Sequence, residues 1–163
     1  MFALASTPAA SRNALHAQLI EQARALMHGE RDATANAANL ASLIFHTLPD
    51  LNWAGFYWMK DGELVLGPFQ GKPACVRIAL GKGVCGTAAK DRRTIVVADV
   101  HAFPGHIACD SASNAEVVVP VIKAGAVLGV LDLDSPVHGR FDDEDARALQ
   151  VLVAAFVEMS DFA

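Results

Sequence analysis

Residues 116–134 read EVVVPVIKAGAVLGVLDLD. Two runs of mostly β-branched and aliphatic residues, 116–123 and 127–134, flank Ala124-Gly125. Runs this short, separated by a glycine-bearing turn, read as two strands of a hairpin. Its open end carries three acids: Glu116 on one arm, Asp132 and Asp134 on the other. Asp132 and Asp134 stand two apart, so they share a face of the strand. Closing the turn brings them near Glu116. Three acids there repel one another unless a cation or a shared proton lies among them. Solvated strand ends are the plainer alternative. Asp132 weighs against it, because an acid within an otherwise apolar run needs a partner.

Upstream lies the segment that holds all three cysteines of the chain. They fall in GPFQGKPAC (67–75), GKGVCG (81–86) and FPGHIACDSASNAE (103–116). Each sits in or beside a Gly/Pro turn, where a loop sets a thiol at the mouth of a pocket. Cys109 has His106 before it and Ser111, Ser113 and Asn114 after it. The alternative for Cys109 is a buried spacer ending a short apolar step. Cys85 falls in the first turn of a short helix, 84–90, where free N–H groups and the helix dipole lower a thiol pKa. It also suits a small residue seated under a helix start. Cys75 precedes a strand, 76–80, and a core position is open to it. The spacings between the cysteines match no paired zinc-ligand pattern, and no metal is assigned. His101, His106 and His138 fall in loops and read as solvated.

The rest of the chain supplies the cup. Ser11 caps a helix with Leu15, Leu19, Ala23 and Leu26 at helical spacing, and Gly29 stops it. A second helix starts near Asp32, carries Leu40, Leu43, Ile44 and Leu48, and ends before Pro49. WAGFYWMK (53–60) is an aromatic-rich strand turning at Asp61-Gly62 into a partner at 63–66. Trp53 and Tyr57 stand four apart and share one face; Phe56 and Trp58 take the other. A strand at 94–97 precedes the long loop 99–115. Asp142 caps a closing helix that presents Leu149, Leu152, Val153, Phe156 and Val157. The expected fold is α+β: a central antiparallel sheet of about six strands with the N-terminal and C-terminal helices packed on it. Residues 1–10 read as a tail and 11–163 as a single domain.

Composition narrows the function classes. The chain has 163 residues, 53% of them hydrophobic, enough for one domain with a full core. A net charge of −5 gives no reason to expect nucleic acid or an anionic membrane as partner. No apolar run approaches a membrane span, and the first residues lack the basic start of a signal peptide. An odd cysteine count does not make a secreted disulfide framework. A cytoplasmic protein is expected.

The segments WAGFYW, GPFQGKPAC, GKGVCG, FPGHIACDSASNAEVVVP and GVLDLDSP resemble the signature of free methionine-(R)-sulfoxide reductases, small enzymes on the GAF fold. The resemblance spans residues 48–157, and Ala115 stands where the family often has serine. It implies that Cys109 attacks the sulfoxide sulfur and that Cys75 and Cys85 occupy the places of resolving thiols, with Cys75 favoured. It implies thioredoxin as reductant and no cofactor. It places Trp53 and Tyr57 along the substrate pocket. Glu116, Asp132 and Asp134 match the acids that bind substrate and protonate the sulfoxide oxygen: Glu116 and Asp134 as acid candidates, Asp132 on the substrate. The amphipathic N-terminal helices suit a homodimer. Two other functions stay open: a GAF module that binds a metabolite without turnover, and a thiol sensor reacting directly with peroxide. The second needs no acid cluster.

Overall fold

The computed structural model describes residues 9–107 and 110–162. Eleven short pieces follow in order: helices α1 (Arg12–Met27) and α2 (Ala33–Thr47), strands β1 (Trp53–Lys60), β2 (Glu63–Gly71) and β3 (Arg77–Ala79), helix α3 (Gly83–Asp91), strand β4 (Ile95–Val97), a 3-10 turn (Val100–Ala102), strands β5 (Ala115–Lys123) and β6 (Ala126–Ser135), and helix α4 (Asp143–Met159). The strands form one sheet in the order β3-β2-β1-β6-β5-β4. Every pairing is antiparallel. The α+β sheet expected from the sequence is the fold observed.

Alternation along the strands divides the molecule in two. Ala54 and Phe56 of β1, Val117, Val119 and Val121 of β5, and Leu131 and Leu133 of β6 enter one cluster with Leu19, Leu40, Leu149 and Phe156 of the helices. Side chains of opposite parity, Trp53, Tyr57, Val118 and Val130, join Val84, Cys85 and Ala88 of α3 in a second cluster. The three long helices therefore cover one face, and α3 alone covers the other. A single short helix over a broad sheet leaves part of that face open, and the pocket lies there.

Helix ends follow their caps. Ser11 accepts from the Ala14 N–H and Asp32 from the Ala35 N–H. Asp142 and Asp145 form a reciprocal capping box at the start of α4. The buried Asp145 also meets His16 Nε2 at 3.0 Å and Arg140 Nη1 at 3.2 Å, which ties α1, α4 and the segment after β6 together.

The structure corrects the sequence reading at two strands. β2 runs on to Gly71 instead of ending at 66, with Trp53 opposite Gly71 and Gly55 opposite Phe69. Pro68 is tolerated because the register shifts between Gly55 and Tyr57, a bulge, and β3 pairs only with the first residues of β2. The strand read at 76–80 is a three-residue edge piece. Val76 and Leu80 are 63% and 41% exposed, so their apolar character does not mark an inner strand.

The β1–β6 spacing depends on Gly129. A Cβ there would lie 2.1 Å from the Tyr57 carbonyl oxygen and 2.9 Å from the Trp58 ring. Gly129→Ala is expected to destabilise the fold by about 2 kcal/mol through forced separation of β1 and β6. A denaturant midpoint unchanged from the parent protein would refute this.

Candidate active site

The antiparallel register of three central strands builds the floor of the pocket. Trp53 pairs with Asp134, and Asp134 pairs with Glu116. One step along, Gly55 pairs with Asp132, and Asp132 with Val118. Two residues along an extended chain return to the same face. The three acids and the indole thus open onto one cavity, of ≈ 540 Å³ including its mouth. Tyr57 and Cys85 also line it, as do Lys72, His106, Asp110 and Ser113.

The aromatic wall is fixed. Trp53 is 3% exposed, stacks on Phe69 at 5.3 Å and on Tyr57 at 5.8 Å, and donates Nε1–H to the Lys72 carbonyl. Tyr57 donates its hydroxyl to the Cys75 carbonyl at 3.1 Å. Phe56 and Trp58 face away and stack with Phe156 in the helix-side cluster.

Burial dominates the electrostatics. Glu116 and Asp132 are buried and Asp134 is half-buried. Desolvation, followed by repulsion from Asp132, holds Glu116 and Asp134 well above the usual carboxyl range. Desolvation pushes Asp132 up to about 7. Asp132 Oδ1 finds no hydrogen-bond partner among the described residues. Burial and mutual repulsion thus favour the protonated carboxyls, and Asp132 Oδ1 is left as an acceptor in the wall of the cavity.

The cysteines separate. Cys85 is a buried free thiol whose Sγ donates to Glu116 Oε1 at 3.8 Å. The lowered thiol pKa expected from its helix turn does not hold. Desolvation, then Asp132 and Glu116, push it well above the ordinary value, outweighing the N–H groups of the turn. Cys75 is half-buried and disulfide-bonded. Cys109 lies outside the described residues. Its neighbours on both sides, His106 and Ile107 before and Asp110 and Ser113 after, line the cavity with the acids.

His106, Asn52, Lys72 and Asp110 take places at the site that the sequence reading does not give them. His106, expected in solvent, sits with Nε2 3.8 Å from Glu116 Oε2, and burial followed by His101 lowers its pKa. Asn52 donates Nδ2–H to Asp110 Oδ2 at 3.2 Å and to Ser113 Oγ at 3.0 Å, tying the 103–113 loop to the start of β1. Lys72 Nζ lies 3.6 Å from Asp110 Oδ1 at the mouth. Polar residues in turns carry no periodic signal, and what they meet is set by chain reversals far apart in sequence.

Comparisons with known proteins agree with this construction. Residues 34–157 match the family model described as "GAF domain". A free methionine-R-sulfoxide reductase of Escherichia coli is 51% identical over 88% of this chain and 87% of that protein. The structure of free methionine-R-sulfoxide reductase from Neisseria meningitidis in complex with its substrate superposes with a TM-score of 0.93 at 40% identity, covering 98% of this chain and 95% of that one. A putative GAF sensor protein from Burkholderia vietnamiensis gives a TM-score of 0.90 at 62% identity, over 93% and 96% of the two chains.

The raised carboxyl pKa values carry a stability consequence. Between the ordinary carboxyl range and the raised values, the folded chain holds protons that the unfolded chain has released. Stability from these groups is therefore lost as pH rises through that window, which for Asp132 ends near 7. The melting temperature is expected to fall by several degrees from pH 5 to pH 8, and Asp132→Asn is expected to flatten the slope. Parallel pH slopes for the two proteins in thermal melts would contradict the reading.

With the acids, the indole wall and these relatives together, the chain belongs to the free methionine-(R)-sulfoxide reductase family of GAF-domain proteins.

Proposed function

We propose that this protein reduces free L-methionine-(R)-sulfoxide to L-methionine. The observation that carries the reading is the convergence of Glu116, Asp132 and Asp134 beneath the Trp53 wall, in a cavity rimmed by the residues that flank Cys109. The named activity of the Escherichia coli relative and the substrate complex of the Neisseria protein support it.

Each part of the substrate finds a complementary group. Sulfoxide oxygen leaves poorly until protonated, and Glu116 and Asp134, pushed up by burial and by Asp132, are the two candidates for the proton donor. Asp132 receives the ammonium group through its unpartnered oxygen. Lys72 and loop N–H groups hold the carboxylate. The methyl on sulfur packs against Trp53. Recognition of both charged ends excludes methionine within a polypeptide.

The chemistry balances in three steps. The Cys109 thiolate attacks the sulfoxide sulfur; with one proton taken up by the oxygen, methionine leaves and the oxygen stays on Cys109 as a sulfenic acid. The Cys75 thiol attacks that sulfenic sulfur, forming the disulfide and releasing water. A thioredoxin-class dithiol then exchanges with this disulfide and returns both thiols. Cys75 is favoured over Cys85 as the resolving thiol, because Cys75 is disulfide-bonded while Cys85 is free, buried and pushed up by the acids. A thioredoxin-linked cycle suits a cytoplasmic protein, and the amphipathic N-terminal helices suit a homodimer.

A thioredoxin-coupled NADPH assay tests the proposal. Turnover is expected on free L-methionine-(R)-sulfoxide and not on the (S) epimer or peroxide; equal rates on peroxide would favour a thiol sensor. Cys109→Ser should abolish methionine formation, whereas Cys75→Ser should spare one turnover. Methionine yield from Cys109→Ser equal to the parent would reassign the nucleophile.

Glu116→Gln and Asp134→Asn are expected to differ in kind. The variant lacking the proton donor should lose about 10²–10⁴ in kcat, and the other should mainly raise KM. For the parent protein, kcat/KM should fall as pH rises through the raised carboxyl values. A profile flat from pH 6 to 9 would remove the acid cluster from the chemistry.

A further inference from the structure

Cys85 is the one cysteine the proposed cycle leaves without a task. Its sulfur, a Glu116 oxygen and an Asp132 oxygen lie within 4.8 Å of one another, and all three residues are buried. They come from α3, β5 and β6, so their convergence is a product of the fold. A second observation points independently to a ligand: Asp132 is 6% exposed and its Oδ1, in the wall of the cavity, has no hydrogen-bond partner among the described residues.

We propose that these three side chains form a binding site for a zinc-class divalent cation. The donor set selects the metal. A thiolate sulfur disfavours magnesium and calcium, which take oxygen ligands, and mixed sulfur and carboxylate donors suit zinc or its surrogates cobalt and cadmium. Three protein ligands facing an open cavity leave one position for water. His106 Nε2 lies 3.8 Å from Glu116 Oε2, whereas Cys85 Sγ meets Glu116 Oε1 at 3.8 Å. On binding, the Cys85 S–H bond breaks, and its proton and any proton held by the Glu116 and Asp132 carboxyls pass to the buffer. The sulfur pair enters the metal–sulfur bond, and no oxidation state changes. Metal-spacing rules miss the site because they look for ligands paired along one turn, and here the ligands come from three elements far apart in the chain.

The cation takes the same Asp132 oxygen that the functional proposal gives to the substrate ammonium. The two ligands therefore exclude one another. This last clause rests on that proposal; the metal site itself does not.

The test is titration of cobalt(II) into the full chain with its cysteines reduced, followed by near-ultraviolet absorbance. One equivalent is expected to bind with a thiolate-to-cobalt charge-transfer band. Cys85→Ala should lose the band, Asp132→Asn should weaken binding by at least about 10-fold, and Cys75→Ser and Cys109→Ser should keep both. Circular dichroism of each variant establishes that it is folded. Absence of the band in the parent protein, or its persistence in folded Cys85→Ala, would overturn the site. L-Methionine-(R)-sulfoxide should raise the cobalt concentration needed for half-saturation. An unchanged midpoint with a substrate that is turned over would overturn the exclusion alone, whereas no turnover with the cobalt band intact would overturn the reductase reading alone.

Discussion

The register of β1 against β6 and β6 against β5 is the constraint on which everything else depends. It sets Trp53, Asp134 and Glu116 in one row across three strands and Asp132 one step along the middle strand. A slip of one residue in either pairing would turn the acids toward the helices and the leucines toward the pocket. The slip is resisted because Leu131, Leu133, Val117, Val119 and Phe56 are buried against the helices on the opposite face. Hydrophobic burial on one side thus fixes the alignment of charge on the other. Three acids in a small hollow are unfavourable on their own, and the helix-side core offsets that cost.

The second support is α3 with the loop after it. α3 starts at Gly83, whose φ of 59° suits glycine, and Ile107 packs within 3.3 Å of where a Cβ would stand. Asn52 and Asp110 close the loop from the opposite side. Ile107 on one side and Asp110 on the other are therefore held at the cavity mouth. That arrangement gives the neighbours of Cys109 a fixed place beside the acids while the wider face of the sheet stays open.

What the sequence disclosed follows a physical line. The hairpin 116–134 is legible because two short β-branched and aliphatic runs, a glycine turn and acids confined to one end all agree. The face taken by Trp53 and Tyr57 was legible only as shared, since periodicity says which side chains go together and not which way they go. β2 was cut short at 66 because Gly67-Pro68 reads as a turn, and nothing local reveals the bulge that absorbs it. The Cys85 thiol was misjudged in sign: the helix turn is visible in the chain, whereas its acid neighbours come from strands 30 and more positions away. His106 was placed in solvent for the same reason. The roles of the individual site residues rest on the resemblance and on the geometry together.

Two hydrogen bonds from one strand link the wall of the pocket to residues 72–75. Trp53 holds the Lys72 carbonyl, Tyr57 holds the Cys75 carbonyl, and the two rings stack on each other. Any displacement of residues 72–75 is transmitted directly to the indole. The two rings are thus the anchors of the backbone that carries Cys75, and the course of that stretch and the packing of the aromatic wall are a single constraint.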